Sequence, residues 1–169
     1  MSIYHISDIH ISSLSIENIR YSFDILIEEI KKHCNNCVLV IAGDVFDSRT
    51  LVESSDIVLF NYMIKRLETE KIYTIIIPGK SDGHVVAHKT SVDLMSSILN
   101  DRELKFVNYY PKSGVHSVKI FPGTEFYIYS PLDDCTPVSI NQRAGARTRI
   151  AIIHGEVKNC KPCMGPPVK

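Results

Sequence analysis

The chain has 169 residues, of which 44% are hydrophobic and 22% charged, enough for one globular domain with a sizeable core. Lys and Arg balance Asp and Glu at 19 each, so no global field favours nucleic acid or a membrane surface, and no apolar stretch approaches the roughly 20 residues that span a bilayer. The N-terminus lacks the layout of a signal peptide, and an odd count of 5 cysteines argues against a disulfide framework and for a reducing, intracellular compartment, cytoplasm or nucleus.

Residues 2–6 read as a first strand. Ile16, Ile19, Phe23, Leu26, Ile27 and Ile30 recur at helical spacing and predict a helix over 16–33, with Ser15 as N-cap and Glu17 in the first turn. A second strand falls at 38–42. A second helix over 54–69, capped by Ser54 or Ser55, carries Ile57, Phe60, Ile64 and Leu67 on one face. A third strand at 73–77 precedes a helix near 90–99. Shorter strands are predicted at Leu104–Val107, Val115–Phe121 and Glu125–Tyr129, the last two joined by the turn Pro122-Gly123-Thr124. Residues 131–148 read as polar loop and 149–153 as a last strand. This βαβαβα opening followed by antiparallel or mixed strands makes an α/β fold, a layered mixed sheet flanked by helices. The domain is expected over 1–154, with 155–169 a tail containing prolines and cysteines. Arg143, Arg147, Arg149, Lys158 and Lys161 leave room for a local basic groove in the last third.

Acidic and histidine residues sit just beyond several of the strands. Ile3–Ile6 runs into Ser7-Asp8-Ile9-His10, and Val38–Ala42 into Gly43-Asp44-Val45-Phe46-Asp47. Tyr73–Ile77 runs into Pro78-Gly79-Lys80-Ser81-Asp82, and Arg149–Ile153 into His154-Gly155. In sheets of this kind ligands gather outside the carboxyl ends of the strands. Asp8, His10, Asp44, Asp47, Asp82 and His154 would therefore share one rim, a mixture of carboxylate and imidazole that suits a divalent metal. Asp8 and His10 are two apart, so an extended backbone points both to one side. Gly43 lets the backbone turn and bring Asp44 to the same ion.

These motifs resemble the calcineurin-like metallophosphoesterases, whose pattern is Asp-x-His, Gly-Asp-x-x-Asp, Gly-Asn-His-Asp/Glu, a His after a strand, and Gly-His-x-His. Here they stand as Asp8-Ile9-His10, Gly43-Asp44-Val45-Phe46-Asp47, Gly79-Lys80-Ser81-Asp82 and His154-Gly155. The wording around Asp8 and Asp44 is most similar to the double-strand-break-repair nuclease branch. The resemblance implies an α/β/β/α sandwich and a metal-dependent phosphodiesterase or DNA nuclease, with DNA and an ATPase or repair protein as partners. It implies that Asp8 and His10 bind a first metal, that Asp44 bridges two, and that His154 helps bind the second. Manganese is the implied ion, with iron or zinc in other branches.

Departures from the pattern qualify that expectation. Lys80 replaces the metal-binding Asn, and an ammonium has no lone pair to give and repels a cation. Ser81 replaces the acid His, and a hydroxyl is a poor general acid near neutral pH. Gly-His-x-His is absent, and the chain ends fifteen residues after His154, as a chain truncated within its last strands would. One ion is therefore expected rather than two, with crippled catalysis and Lys80 standing in electrostatically for the second metal. His84 could swing in as a substitute ligand. Asp47 and Asp82 would orient neighbours, and His5 would belong to the sheet face. The rival class is an inactive scaffold of this fold that binds a protein or a nucleic-acid end. A zinc module built from Cys34/Cys37 and Cys160/Cys163 is weaker, since the two pairs lie at opposite rims of the sheet.

Overall fold

The computed structural model describes residues 2–32, 36–47, 52–85, 91–133 and 148–155, with the backbone alone at 83–85 and 91–92. In chain order the elements are β1 (Ser2–Ile6), α1 (Ile16–Lys31), β2 (Cys37–Ala42), α2 (Ser54–Thr69), β3 (Thr74–Ile77), β4 (Gly83–Val85), β5 (Ser91–Asp93), α3 (Leu94–Leu99), β6 (Val107–Tyr109), β7 (Gly114–Ser117), β8 (Thr124–Tyr129) and β9 (Thr148–Ile153).

The first sheet has the order β1-β2-β3-β6 with every neighbour parallel. β2 and β3 lie at its centre and are buried throughout, because their apolar runs have no solvent face to serve. Strand alternation divides β2 between two cores. Leu39 and Ile41 meet Phe23, Ile27, Leu59 and Met63 of the helices. Val38, Val40 and Ala42 meet Phe126, Ile128 and Ile152 of a second sheet. Each fully buried side chain of this size contributes about 1.5–3 kcal/mol, so these two layers dominate the stability.

The second sheet runs β7-β8-β9, with β7 antiparallel and β9 parallel to β8. The result is an α/β fold of layered parallel and mixed sheets flanked by helices. All three helices contribute to the core on one side of the first sheet, and no helix covers the outer face of the second sheet among the described residues. Three layers of the expected sandwich are thus present.

Several boundaries moved for local reasons. The helix expected near 90–99 starts at Leu94, since residues 91–93 pair with 83–85 as an antiparallel ladder. Asp93 then caps the helix, accepting the N–H groups of Met95 (3.1 Å) and Ser96 (3.4 Å). The strand expected at Leu104 begins at Val107, because the Glu68 carboxylate takes the N–H groups of Lys105, Phe106 and Val107 at 3.1, 2.7 and 2.8 Å. Pairing in β7 ends at Ser117, where the chain turns and Phe121 N–H bonds to the Val118 carbonyl at 3.0 Å. Ser15 does precede α1, yet its hydroxyl turns back to the Ser12 carbonyl at 3.2 Å. At α2 the cap is Glu53, whose N–H donates to the Asp56 carboxylate at 3.0 Å. Cys37 is buried at the start of β2. Cys34, Cys160 and Cys163, Arg143, Arg147, Lys158 and Lys161, and the expected tail beyond Gly155 lie outside the described residues.

Candidate metal centre

The loops after β1 and β2 stay joined beyond the sheet. Asp8 N–H donates to the Gly43 carbonyl (3.0 Å), His10 N–H to Asp44 (3.1 Å) and Ile11 N–H to Val45 (2.8 Å), and Asp47 N–H returns to Ile11 (3.2 Å). Along this seam the backbone is left-handed at Asp8 (φ 55), His10 (φ 48) and Asp44 (φ 51), as well as at Gly43 (φ 82). Non-glycine residues in this region are uncommon, Asp and His being among the types enriched there, and each costs about 1–3 kcal/mol. Three such residues in two short loops aim their side chains away from the paths that a regular strand would give.

The loop after β3 is fastened from beneath by Asp82, which is buried. One of its carboxylate oxygens accepts Val45 N–H (2.9 Å) and Phe46 N–H (3.0 Å), and the other accepts Gly79 N–H (2.8 Å). Burial pushes this carboxyl above its ordinary value, and the backbone donors only partly oppose the shift. Ser81 N–H donates to Asp44 Oδ1 at 2.7 Å. Glycine is required at two close approaches. A Cβ on Gly79 would stand 2.1 Å from the Asp44 backbone N and Oδ1, and one on Gly43 would stand 2.6 Å from the His154 ring.

His154 arrives from the end of β9 in the other sheet. Its Nδ1 lies 2.7 Å from the Ala42 carbonyl, which can only accept, so Nδ1 carries a proton. In the neutral ring, Nε2 then presents its lone pair 3.4 Å from Asp44 Oδ2. A cation, whether a proton on Nε2 or a metal ion, would relieve the facing of these two electron-rich atoms. Ligands about 2.1 Å from one ion, at tetrahedral or octahedral angles, sit roughly 3.0–3.4 Å apart, so the pair fits a shared metal. Asp8 completes the group, since one ligand atom each from Asp8, Asp44 and His154 lie within 4.8 Å of one another. Asp44 and His154 are each 13% exposed and Asp8 54%, so an ion there would be held from below and open to solvent on the Asp8 side.

A cavity of about 380 Å³ opens over these three residues, with His5, Ser7 and Lys80 also on its wall. His10 does not join the trio. Its Nδ1 turns toward Asp47 Oδ1 at 3.3 Å, outside hydrogen-bonding geometry, while Nε2 stays 3.9 Å from Asp8 Oδ1. Asp47 thus stands beside His10, and Asp82 supports the loops without reaching the cavity. His84 lies on β4, and its side chain is outside the described residues. His5 and Ser7 were missed as cavity residues. The signal was strand alternation, because Tyr4 and Ile6 pack toward the helices and leave His5 on the opposite face.

A parallel sheet with carboxylates at its carboxyl rim, met there by an imidazole from a second mixed sheet, suits a metal-dependent phosphoesterase. The chain belongs to the calcineurin-like phosphoesterase family, whose model matches residues 1–167. It is 29% identical over 177 aligned residues to Uncharacterized protein R555 of Acanthamoeba polyphaga mimivirus, an alignment covering 96% of this chain and 13% of that protein. The chain therefore spans about an eighth of the length of that relative. Among the described residues no helix is long and apolar enough to cross a membrane.

Proposed function

We propose that the chain is a slow, metal-dependent phosphodiesterase acting on nucleic-acid phosphodiesters, with one manganese ion held by Asp8, Asp44 and His154. The observation that carries this reading is the convergence of those three ligand atoms within 4.8 Å at the mouth of the polar cavity. A divalent ion bound there supplies charge neutralisation at a phosphoryl oxygen and lowers the pKa of a coordinated water. The chain's own groups do the rest. Gly43 and Gly79 let backbone approach Asp44 closely, and Ser81 N–H fixes the carboxylate by one oxygen while the other faces the cavity. The Ala42 carbonyl fixes the His154 tautomer so that Nε2 points inward. Ser81 brings only a weakly acidic hydroxyl to the position where the family has histidine, so the leaving oxygen must take its proton from water. Loss of such an acid costs about 10²–10⁴ in rate.

That same substitution favours the rival reading, a scaffold that binds a metal and a partner without turnover. Manganese-dependent hydrolysis of bis(p-nitrophenyl) phosphate and of double-stranded DNA ends tests the two. Turnover lost in Asp44→Asn supports the phosphodiesterase. Manganese binding without any turnover supports the scaffold, and an absence of manganese binding overturns both.

A further inference from the structure

We propose that Lys80 is a phosphate-oxygen subsite, an ammonium serving in place of a second metal ion and selecting singly charged phosphodiesters. The inference rests on the one-metal reading above. Lys80 shares the cavity wall with Asp8, Asp44 and His154. Its backbone is fixed on both sides, by Gly79 N–H on Asp82 at 2.8 Å and by Ser81 N–H on Asp44 Oδ1 at 2.7 Å. The side chain therefore leaves the loop from a point that adjoins the ligand carboxylate and cannot drift with a mobile loop. A lysine ammonium is a compact point charge on a flexible stem, suited to a phosphate oxygen that needs no planar, bidentate partner.

Charge decides the substrate class. Two carboxylates against one ammonium leave the cavity with a single net negative charge when His154 is neutral. One divalent ion turns that into a single net positive charge, which matches the monoanion of a phosphodiester and leaves a phosphomonoester dianion only half balanced. A second divalent ion in the same cavity would meet the like charge of the Lys80 ammonium, which disfavours it. Lys80 thereby both limits the metal count and supplies the contact that the absent ion would have made.

The test is calorimetry on the whole chain, with Mn²⁺ alone and then with dimethyl phosphate or inorganic phosphate added to the manganese-loaded protein. Lys80 is exposed, so Lys80→Met, Lys80→Arg and Lys80→Asn should fold, and their melting curves check this. The parent should bind one Mn²⁺ and prefer dimethyl phosphate to inorganic phosphate. Lys80→Met should keep one Mn²⁺ and lose about 10- to 100-fold in dimethyl phosphate affinity, the value of one charge-assisted hydrogen bond. Lys80→Arg should retain most of that affinity, and Lys80→Asn should take up a second Mn²⁺. Unchanged dimethyl phosphate affinity in Lys80→Met, or two Mn²⁺ in the parent, overturns the proposal and leaves the phosphoesterase reading standing. A parent that takes up no Mn²⁺ overturns both together.

Discussion

Replacing Asp82 should undo the rim from below although it touches neither the ion site nor the cavity. Its carboxylate gathers three backbone donors, from Val45, Phe46 and Gly79, within 3.0 Å. Asp82→Ala strands all three in a dry environment, and a stranded buried donor costs about 1–3 kcal/mol. They share one acceptor, so the losses do not add fully, and the expected total is roughly 3–5 kcal/mol, the range seen when one partner of a buried charged interaction is removed. Against a typical stability of about 5–15 kcal/mol that is a large fraction. Asp82→Asn keeps the volume and an oxygen for Val45 and Phe46, but it turns an NH₂ group toward Gly79 N–H, so about 1–3 kcal/mol should go. Urea unfolding measures both. Alanine and asparagine variants within about 0.5 kcal/mol of the parent, the spread of neutral surface changes, would refute the argument.

The pH dependence follows from the same burial. Desolvation lifts the Asp82 carboxyl above its ordinary 3.8, the Phe46 and Gly79 N–H groups pull it down, and nearby Asp44 adds a smaller upward push. A raised acid binds more protons folded than unfolded. Its contribution is fully present below the unfolded value and is lost as pH rises through the folded value. The stability margin of the parent over Asp82→Asn should therefore shrink as pH climbs from about 4 and then level off. A margin that widens over that interval would show that the backbone donors outweigh burial.

Three further outcomes are expected. Gly79→Ala should abolish manganese binding in calorimetry, since its Cβ would stand 2.1 Å from Asp44 N and Oδ1. Full retention would mean that the loop yields easily. His154→Ala should weaken manganese binding by roughly 100-fold or more, and His10→Ala, outside the trio, by no more than about 10-fold. The reverse order would restore His10 to the ligand set. Glu68→Gln should destabilise by about 1–2 kcal/mol in thermal melts, through weaker bonds to Lys105, Phe106 and Val107, while leaving manganese affinity unchanged. A loss of affinity there would couple β6 to the rim.

The parts of the fold that the sequence announces are those whose burial leaves no choice of residue. β2 and β3 are covered on both faces and show as unbroken apolar runs, and α2 follows its apolar stripe from Ser54 to Thr69. The hairpin of β4 and β5 has three residues a side, too short for periodicity to register. β6 is displaced by Glu68, a side chain 37 to 39 positions away along the chain, and no local pattern reports such a contact. The rim itself was readable as a set of residues at strand ends. Its internal geometry was not, because placing Asp8 and His10 on one side assumes an extended backbone. Both residues are left-handed instead, so the two-residue period fails between them and His10 swings to Asp47.

Strain and support are distributed unequally around this rim, and the inequality bears on what the rim is for. Asp8 and Asp44 are left-handed, and each carries a negative charge toward a shared space. Neither choice stabilises the fold. Left-handed backbone costs free energy, and neighbouring carboxylates repel. The residues that hold them in place are satisfied by contrast: Asp82 has its three donors, His154 has the Ala42 carbonyl, and the loops bond to each other across Gly43, Asp44 and Val45. A scaffold that needed only to fold would have no use for the Asp8 carboxylate, and of Asp44 it would use only the oxygen that accepts Ser81 N–H. Holding two carboxylates and an imidazole lone pair in this arrangement becomes favourable once a cation sits among them. The geometry therefore suits a positive ion, with the surrounding bonds fixing the shape of the rim.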